Sequence, residues 1–333
     1  MDYRHHHDEA ANRASEASRT TEAARVDAST ATIRQWFGRH ANQRCFLSVD
    51  PSQRDLNADF PEHDNPFADL PRADVVIDHE AFAEAHRPYL LELDLATDTG
   101  LAALAHSVQA AFDDRLPASM ASGLGQRIGG WLASPASLED VAAHWSRLAL
   151  QRDAAGRACV LRFYDTRALD LLWTALSPAQ QQALLGPVKA WHTLDACARL
   201  VVRQSAQTSP ARFALLPQQW DAIHRHGLVN RALALHAYAS ERQPQAHEVE
   251  AALAAAARAE RYGLLDRDDQ IAFIGHAIAW HPQFDLHPKV LQLLGRRADD
   301  DFYSAAISRL SADEIAEIRQ GAWYDRLTAS ASR

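Results

Sequence analysis

The segment Arg162-Phe163-Tyr164-Asp165-Thr166-Arg167 sets one carboxylate between two guanidiniums at the end of an apolar run. A carboxyl group so placed can move a proton, while the flanking arginines hold an anion. Read as a strand, Arg162 and Tyr164 face one way and Leu161, Phe163 and Asp165 the other. The same four polar groups can instead form a structural ion-pair network at a sheet edge. No second carboxylate or histidine is brought in by spacing to complete a catalytic set. We therefore read Arg162, Tyr164, Asp165 and Arg167 as structural, and expect no enzyme. The alternative is a hydrolase or transferase of unknown substrate centred on this segment, with His144 as a possible helper.

The chain holds 17 histidines, and geometry argues against pairing them on a metal. His224 and His226 point about 200° apart on a helix, and His276 and His281 about 140° apart. The triplet His5-His6-His7 can bind metal in vitro, but in a polar tail it is expected to carry no physiological site. HExxH, GxxxxGK[ST] and GxSxG are absent, and GLGQRIGG (123–130) lacks the strand–turn–helix context of a dinucleotide site. Its glycines read as a turn. Cys45, Cys159 and Cys197 are far apart and odd in number, which suits buried free thiols in a reducing compartment. Neither metal nor cofactor is implied.

The background composition excludes other classes. Net charge is −9, with acidic and basic residues interleaved, so no concentrated positive field marks a nucleic-acid binder. The longest uncharged run, 171–188, contains Ser177, Pro178 and three glutamines and makes no membrane span. The N-terminus has no apolar leader core. A cytoplasmic location is expected.

The positioning elements divide in two. Residues 1–30 are polar and nearly free of large apolar groups, so they read as a disordered tail. From 31 to 210, strand-like runs at 45–49, 74–77, 89–94, 158–165 and 198–203, with a further one at 212–216, alternate with helical stretches at 101–113, 138–150 and 168–185. Ser137-x-x-Asp140 and Ser177-Pro178 mark helix starts. Residues 211–327 read as consecutive helices (217–240, 245–262, 268–280, 287–296, 300–309, 312–326), with Asp266 and Ser311-x-x-Glu314 as start signals. Residues 328–333 read as a disordered end. The expected class is α+β: an N-terminal α/β lobe with a mixed, helix-covered sheet, then an all-helical lobe.

The 268–280 helix is apolar on two sides: Ile271, Ile274 and Ile278 on one, Phe273, Ala277 and Trp280 on the other. Such a helix is sandwiched inside the lobe or leaves one side for a partner. Trp220, Phe273, Trp280, Phe284 and Trp323 are the candidate anchors for that partner, since aromatic side chains dominate interface energetics.

Several segments taken in order carry a resemblance: RPYLLELD (87–94), GGWLASPASLEDVAAHWSRLALQRDAAGRACVLRFYDTRAL (129–169), LSPAQQQALLGPVKAW (176–191), LLPQQWDAI (215–223) and ARAERYGLLDRDDQIAFIGHAIAWHPQFDLHP (257–288). Together they resemble the effector chaperones, or adaptors, of bacterial type VI secretion systems (the Tap/TEC group). His144-Trp145-Ser146-Arg147, Leu161 and Thr166 depart from that pattern, which has His-Leu-Arg, phenylalanine and proline there. The resemblance implies a cofactor-free protein that binds a cognate effector and helps load it onto the VgrG spike protein.

Overall fold

A computed structural model describes residues 3–331 apart from 53, 62–63, 81, 205–211 and 297–300; the side chains of 3–19, 59 and 330–331 are likewise outside the description. Helix α1 (Tyr3–Arg39) leads into strand β1 (Arg44–Val49), β2 (Arg72–Asp74) and β3 (Tyr89–Leu93). Helices α2 (Asp98–Asp113) and α3 (Pro117–Ser122) follow, then β4 (Ile128–Ser134) and α4 (Leu138–Ala149). A small hairpin, β5 (Leu150–Arg152) with β6 (Ala158–Val160), precedes α5 (Thr166–Ala175), α6 (Pro178–Leu185), β7 (Ala190–Leu194) and β8 (Leu200–Arg203).

Six strands form one sheet in the order β2-β3-β1-β4-β7-β8. The α+β class stands, but every pairing is antiparallel, where a mixed sheet was expected. Side chains alternate between two cores, as strand geometry requires. Phe46, Leu90 and Leu132 face α4, α5 and α6, whereas Cys45, Leu47, Leu91 and Trp131 face α1 and α2. Covered on both faces, β1, β4 and β7 are almost wholly buried.

Four sequence readings change. Residues 129–130 lie inside β4, while Gly123 and Gly125 keep the positive φ of a turn. Gly129 is demanded by contact: a Cβ there would stand 2.4 Å from the Tyr164 carbonyl oxygen and 2.5 Å from Ser48 Oγ. Bare backbone thus lets the 161–165 segment lie directly on the sheet. That segment is no strand beyond Val160; the Asp165 amide donates to the Arg162 carbonyl at 3.0 Å, closing a turn. The strand expected at 74–77 ends at Asp74, and 212–216 is irregular.

Of the tail expected to be disordered, residues 3–30 are helical. Ala, Glu and Arg are strong helix formers, and Val26, Ile33 and Phe37 anchor the end of α1 on the sheet, so the helix extends back through them. The Arg25 guanidinium donates to the Ala198 carbonyl oxygen. At the other end, residues expected to be disordered from 328 continue a helix to Ala331.

Beyond the sheet come α7 (Pro217–Ser240), α8 (Ala246–Arg261), α9 (Arg267–Ala279), α10 (Pro288–Arg296), α11 (Tyr303–Ile307), α12 (Ala312–Gln320) and α13 (Ala322–Ala331). Start signals act as read. Ser137, Ser177, Asp266 and Ser311 each accept a backbone N–H at a helix N-terminus, and Ser177 and Ser311 complete capping boxes with Gln180 and Glu314. A third core joins α7, α8 and α9 to the later helices. Leu171 of α5 belongs to it, tying the sheet lobe to the helices.

These contacts set opposite expectations for two glycines. Gly129→Ala should lose about 1–3 kcal/mol through overpacking, read as a lower urea midpoint. Gly275→Ala, inside α9 with open space at its Cβ, should gain about 0.5–1 kcal/mol.

Candidate functional site

A cleft of about 430 Å³ runs along the seam between the sheet lobe and the helices. The 160–163 segment, Asp165 and α5 form one wall, α7 the other, with the end of α3 and the first residue of α9 closing it. The chain builds the first wall through a helix cap. Asp165 occupies the N-cap of α5, where its carboxylate accepts the Arg167 amide at 3.0 Å. The same carboxylate holds the Arg167 guanidinium in a two-pronged pair, at 3.0 and 2.7 Å. Arg162 Nη2 reaches Asp50 Oδ2 at 2.7 Å and Ser52 Oγ at 3.0 Å, with Asp165 Oδ2 at 3.9 Å. The structure therefore brings Arg162, Asp165 and Arg167 together. Tyr164 points into the core, fully buried, and only its ring lies near the Arg162 guanidinium.

Electrostatics leave Asp165 a weak proton carrier. Burial alone would raise its carboxyl, but the Arg167 guanidinium and its hydrogen bonds, with Arg162 behind, outweigh burial and hold it below the ordinary 3.8. His144 is also engaged: its Nε2 lies 3.2 Å from the Leu184 carbonyl oxygen, and the ring packs on Gly186. It does not line the cleft.

The second wall was missed by the sequence reading. Ile223, Gly227 and Arg231 recur every fourth residue along α7, as do His226, Asn230 and Ala234, so the six make one face. The spacing is visible in the sequence, but half its members are polar and it reads as a solvated surface. His226 is buried, and burial lowers it to about 4, so the imidazole is neutral near pH 7. Arg267 adds a fourth guanidinium to Arg162, Arg167 and Arg231.

The aromatic anchors are placed differently from expectation. Trp220, Phe273, Phe284 and Trp323 are buried within the free chain, so they hold its own core rather than a partner. Phe273, at the centre of α9, packs on Phe284, Tyr262 and Tyr303. Trp280 is half-buried and stacks on His276 with ring centroids 4.0 Å apart. The two-sided helix is sandwiched.

Among the described residues, one grouping offers metal-ligand types: Asp153, Cys159 and His224, with ligand atoms within 4.8 Å of one another. Asp153 is already committed. Its oxygens accept the Ala155 and Arg157 amides at 2.9 Å and Arg157 Nε at 2.7 Å, closing the β5–β6 turn, and that guanidinium opposes a cation. The side chains of His5, His6 and His7 lie outside the described residues. Among the described residues, no helix is long and apolar enough to cross a membrane.

Residues 45–183 match the family model described as "Domain of unknown function (DUF4123)". The match runs from β1 to α6. It contains the Arg162–Arg167 wall and ends before α7. No curated protein and no solved structure matches the chain.

Two outcomes follow from the charges. Asp165→Asn should cost about 1–3 kcal/mol at pH 7, because Arg167 loses its anion in a mostly buried site. A carboxylate held low in the fold stabilises above its unfolded value and loses that contribution as pH falls through its folded value. The gap between variant and wild type in urea melts should therefore close below about pH 3.8. Second, burial holds His226 and His276 near 4 against an ordinary 6.5. The unfolded chain binds more protons between those values, so the melting temperature should fall as pH drops from 6.5 towards 4. A flat profile would contradict the burial of these rings.

Proposed function

We propose that the protein is a non-catalytic adaptor of type VI secretion that holds a cognate effector and helps load it onto the VgrG spike. The observation that carries this reading is the seam cleft, whose polar wall is built for holding and not for turnover. Asp165 spends both oxygens on a helix cap and on Arg167, and Arg162 is tied to Asp50. Groups locked in this way present fixed charge and shape to a partner. The ordered resemblance to type VI effector adaptors and the domain match over residues 45–183 support the same role. An enzyme centred on the same turn is disfavoured, because its only acid is held ionised, and paired, at neutral pH.

No cofactor takes part in this reading, and neither a nucleic acid nor a membrane is among the partners. Binding takes place in the cytoplasm, before delivery.

Gly227 gives a direct test. It lines the cleft from α7, and a Cβ there meets nothing within 4 Å. Gly227→Trp should fill the cleft and leave the fold intact. Co-expressed with the effector and spike proteins of its own gene cluster, the wild type should co-purify with them. The tryptophan variant, with an unchanged melting temperature, should recover at least about tenfold less effector. Failure of the wild type to retain either protein would refute the adaptor role.

A further inference from the structure

The cleft concentrates positive charge in a protein that is acidic as a whole. Net charge is −9, yet Arg162, Arg167, Arg231 and Arg267 all line this one depression. Asp165 is the sole carboxylate among the described lining residues, and Asp50 reaches Arg162 from behind. Among the lining groups and the carboxylate that pairs with them, four guanidiniums stand against two carboxylates, and the exposed Asp266 and Asp268 flank Arg267 in sequence outside the lining. Arg231 spends one amino group on the Ala121 carbonyl oxygen at 2.5 Å, which fixes its position and leaves its other donors for a ligand. Arg267 is exposed and makes no hydrogen bond or ion pair among the described residues. Low-dielectric walls focus such a field on whatever enters.

Apart from the arginines, Asp165, His226 and Asn230, the lining carries no polar side chain, and it includes Leu161, Phe163, Leu172 and Ile223. Adjoining lining residues in sequence are two leucines in water: Leu124, next to Gly123, is 44% exposed, and Leu265, two residues before Arg267, is 88% exposed. A small inorganic anion has no use for these leucines. A polypeptide with carboxylates spaced by apolar side chains satisfies both features at once.

We propose that the seam cleft selects an acidic, leucine-type segment of the partner protein, its carboxylates meeting Arg231 and Arg267 and its apolar side chains covering Leu265 and Leu124. This rests on the adaptor reading and adds the chemistry of the segment recognised. Steering by the same field raises the association rate and makes it salt-sensitive.

The test uses the full chain and a fluorescent synthetic peptide alternating glutamate and leucine, with a lysine–leucine peptide as its counterpart, followed by anisotropy. The acidic peptide should bind and the basic one should not. Binding should weaken as NaCl rises from about 50 to about 300 mM. Arg267→Glu should weaken it about fivefold, and Arg319→Glu, the same charge change on exposed α12, should leave it unchanged. The proposal is overturned if the acidic peptide does not bind, if both peptides bind alike, if the two variants behave alike, or if inorganic phosphate displaces the peptide at equal concentration. Should the wild type still retain its effector in any of those cases, the adaptor role survives and only the acidic segment is lost.

Discussion

The seam between the two lobes depends on one buried carboxylate. Asp165 ends the turn that lies on Gly129, caps α5 and clamps Arg167, all from a side chain almost withdrawn from water. Removing any one of these partners would leave a buried charge or an open helix end, both costly. Because α5 starts where Asp165 sets it, Leu171 enters the helical core while Leu169 and Leu172 stay in the sheet core. The cleft inherits its wall from this arrangement. Arg162 and Arg167 are held by carboxylates, so for these two the ordering entropy that a free arginine would lose on binding is already spent.

Local chemistry was legible in the sequence, and long-range closure was not. Ser137, Ser177, Asp266 and Ser311 announced helix starts because capping involves residues only two or three apart. Strands β1, β3 and β8 showed as apolar runs. Strand β4 did not: Gly129-Gly130 carries a turn's composition, and only the Tyr164 and His192 carbonyls overhead explain why bare backbone is required there. The 158–165 run has strand composition throughout, but the Asp165 cap and the turn closed on Arg162 take its second half out of any sheet. Residues 1–30 looked too polar to order, yet the helix anchored by Val26, Ile33 and Phe37 runs back to Tyr3.

The candidate site divides in the same way. Arg162, Asp165 and Arg167 stood out because they are adjacent in sequence. Ile223, Asn230, Arg231 and Arg267 carry no local signature; they become neighbours of that turn only when α7 packs across α5 and α3. The aromatics failed as surface anchors for a related reason. Phe273 and Phe284 are the bulk that a bundle of alanine-rich helices needs, since Ala252, Ala255, Ala256 and Ala259 of α8 fill little space themselves. The domain match stops at residue 183, so the cleft joins a wall inside that domain to a wall outside it. On the adaptor reading, the outer wall is where partner choice would be written.

Hydrogen–deuterium exchange on the full chain, alone and with the effector that the adaptor reading assigns to it, tests the gripping of a partner at this seam most directly. Amides of residues 160–172 and of the α7 face from Ile223 to Ala234 should slow when the effector is added, and the sheet face covered by α1 and α2 should not change. Protection confined to that far face, or none at the seam in a complex shown to be intact, would contradict the account.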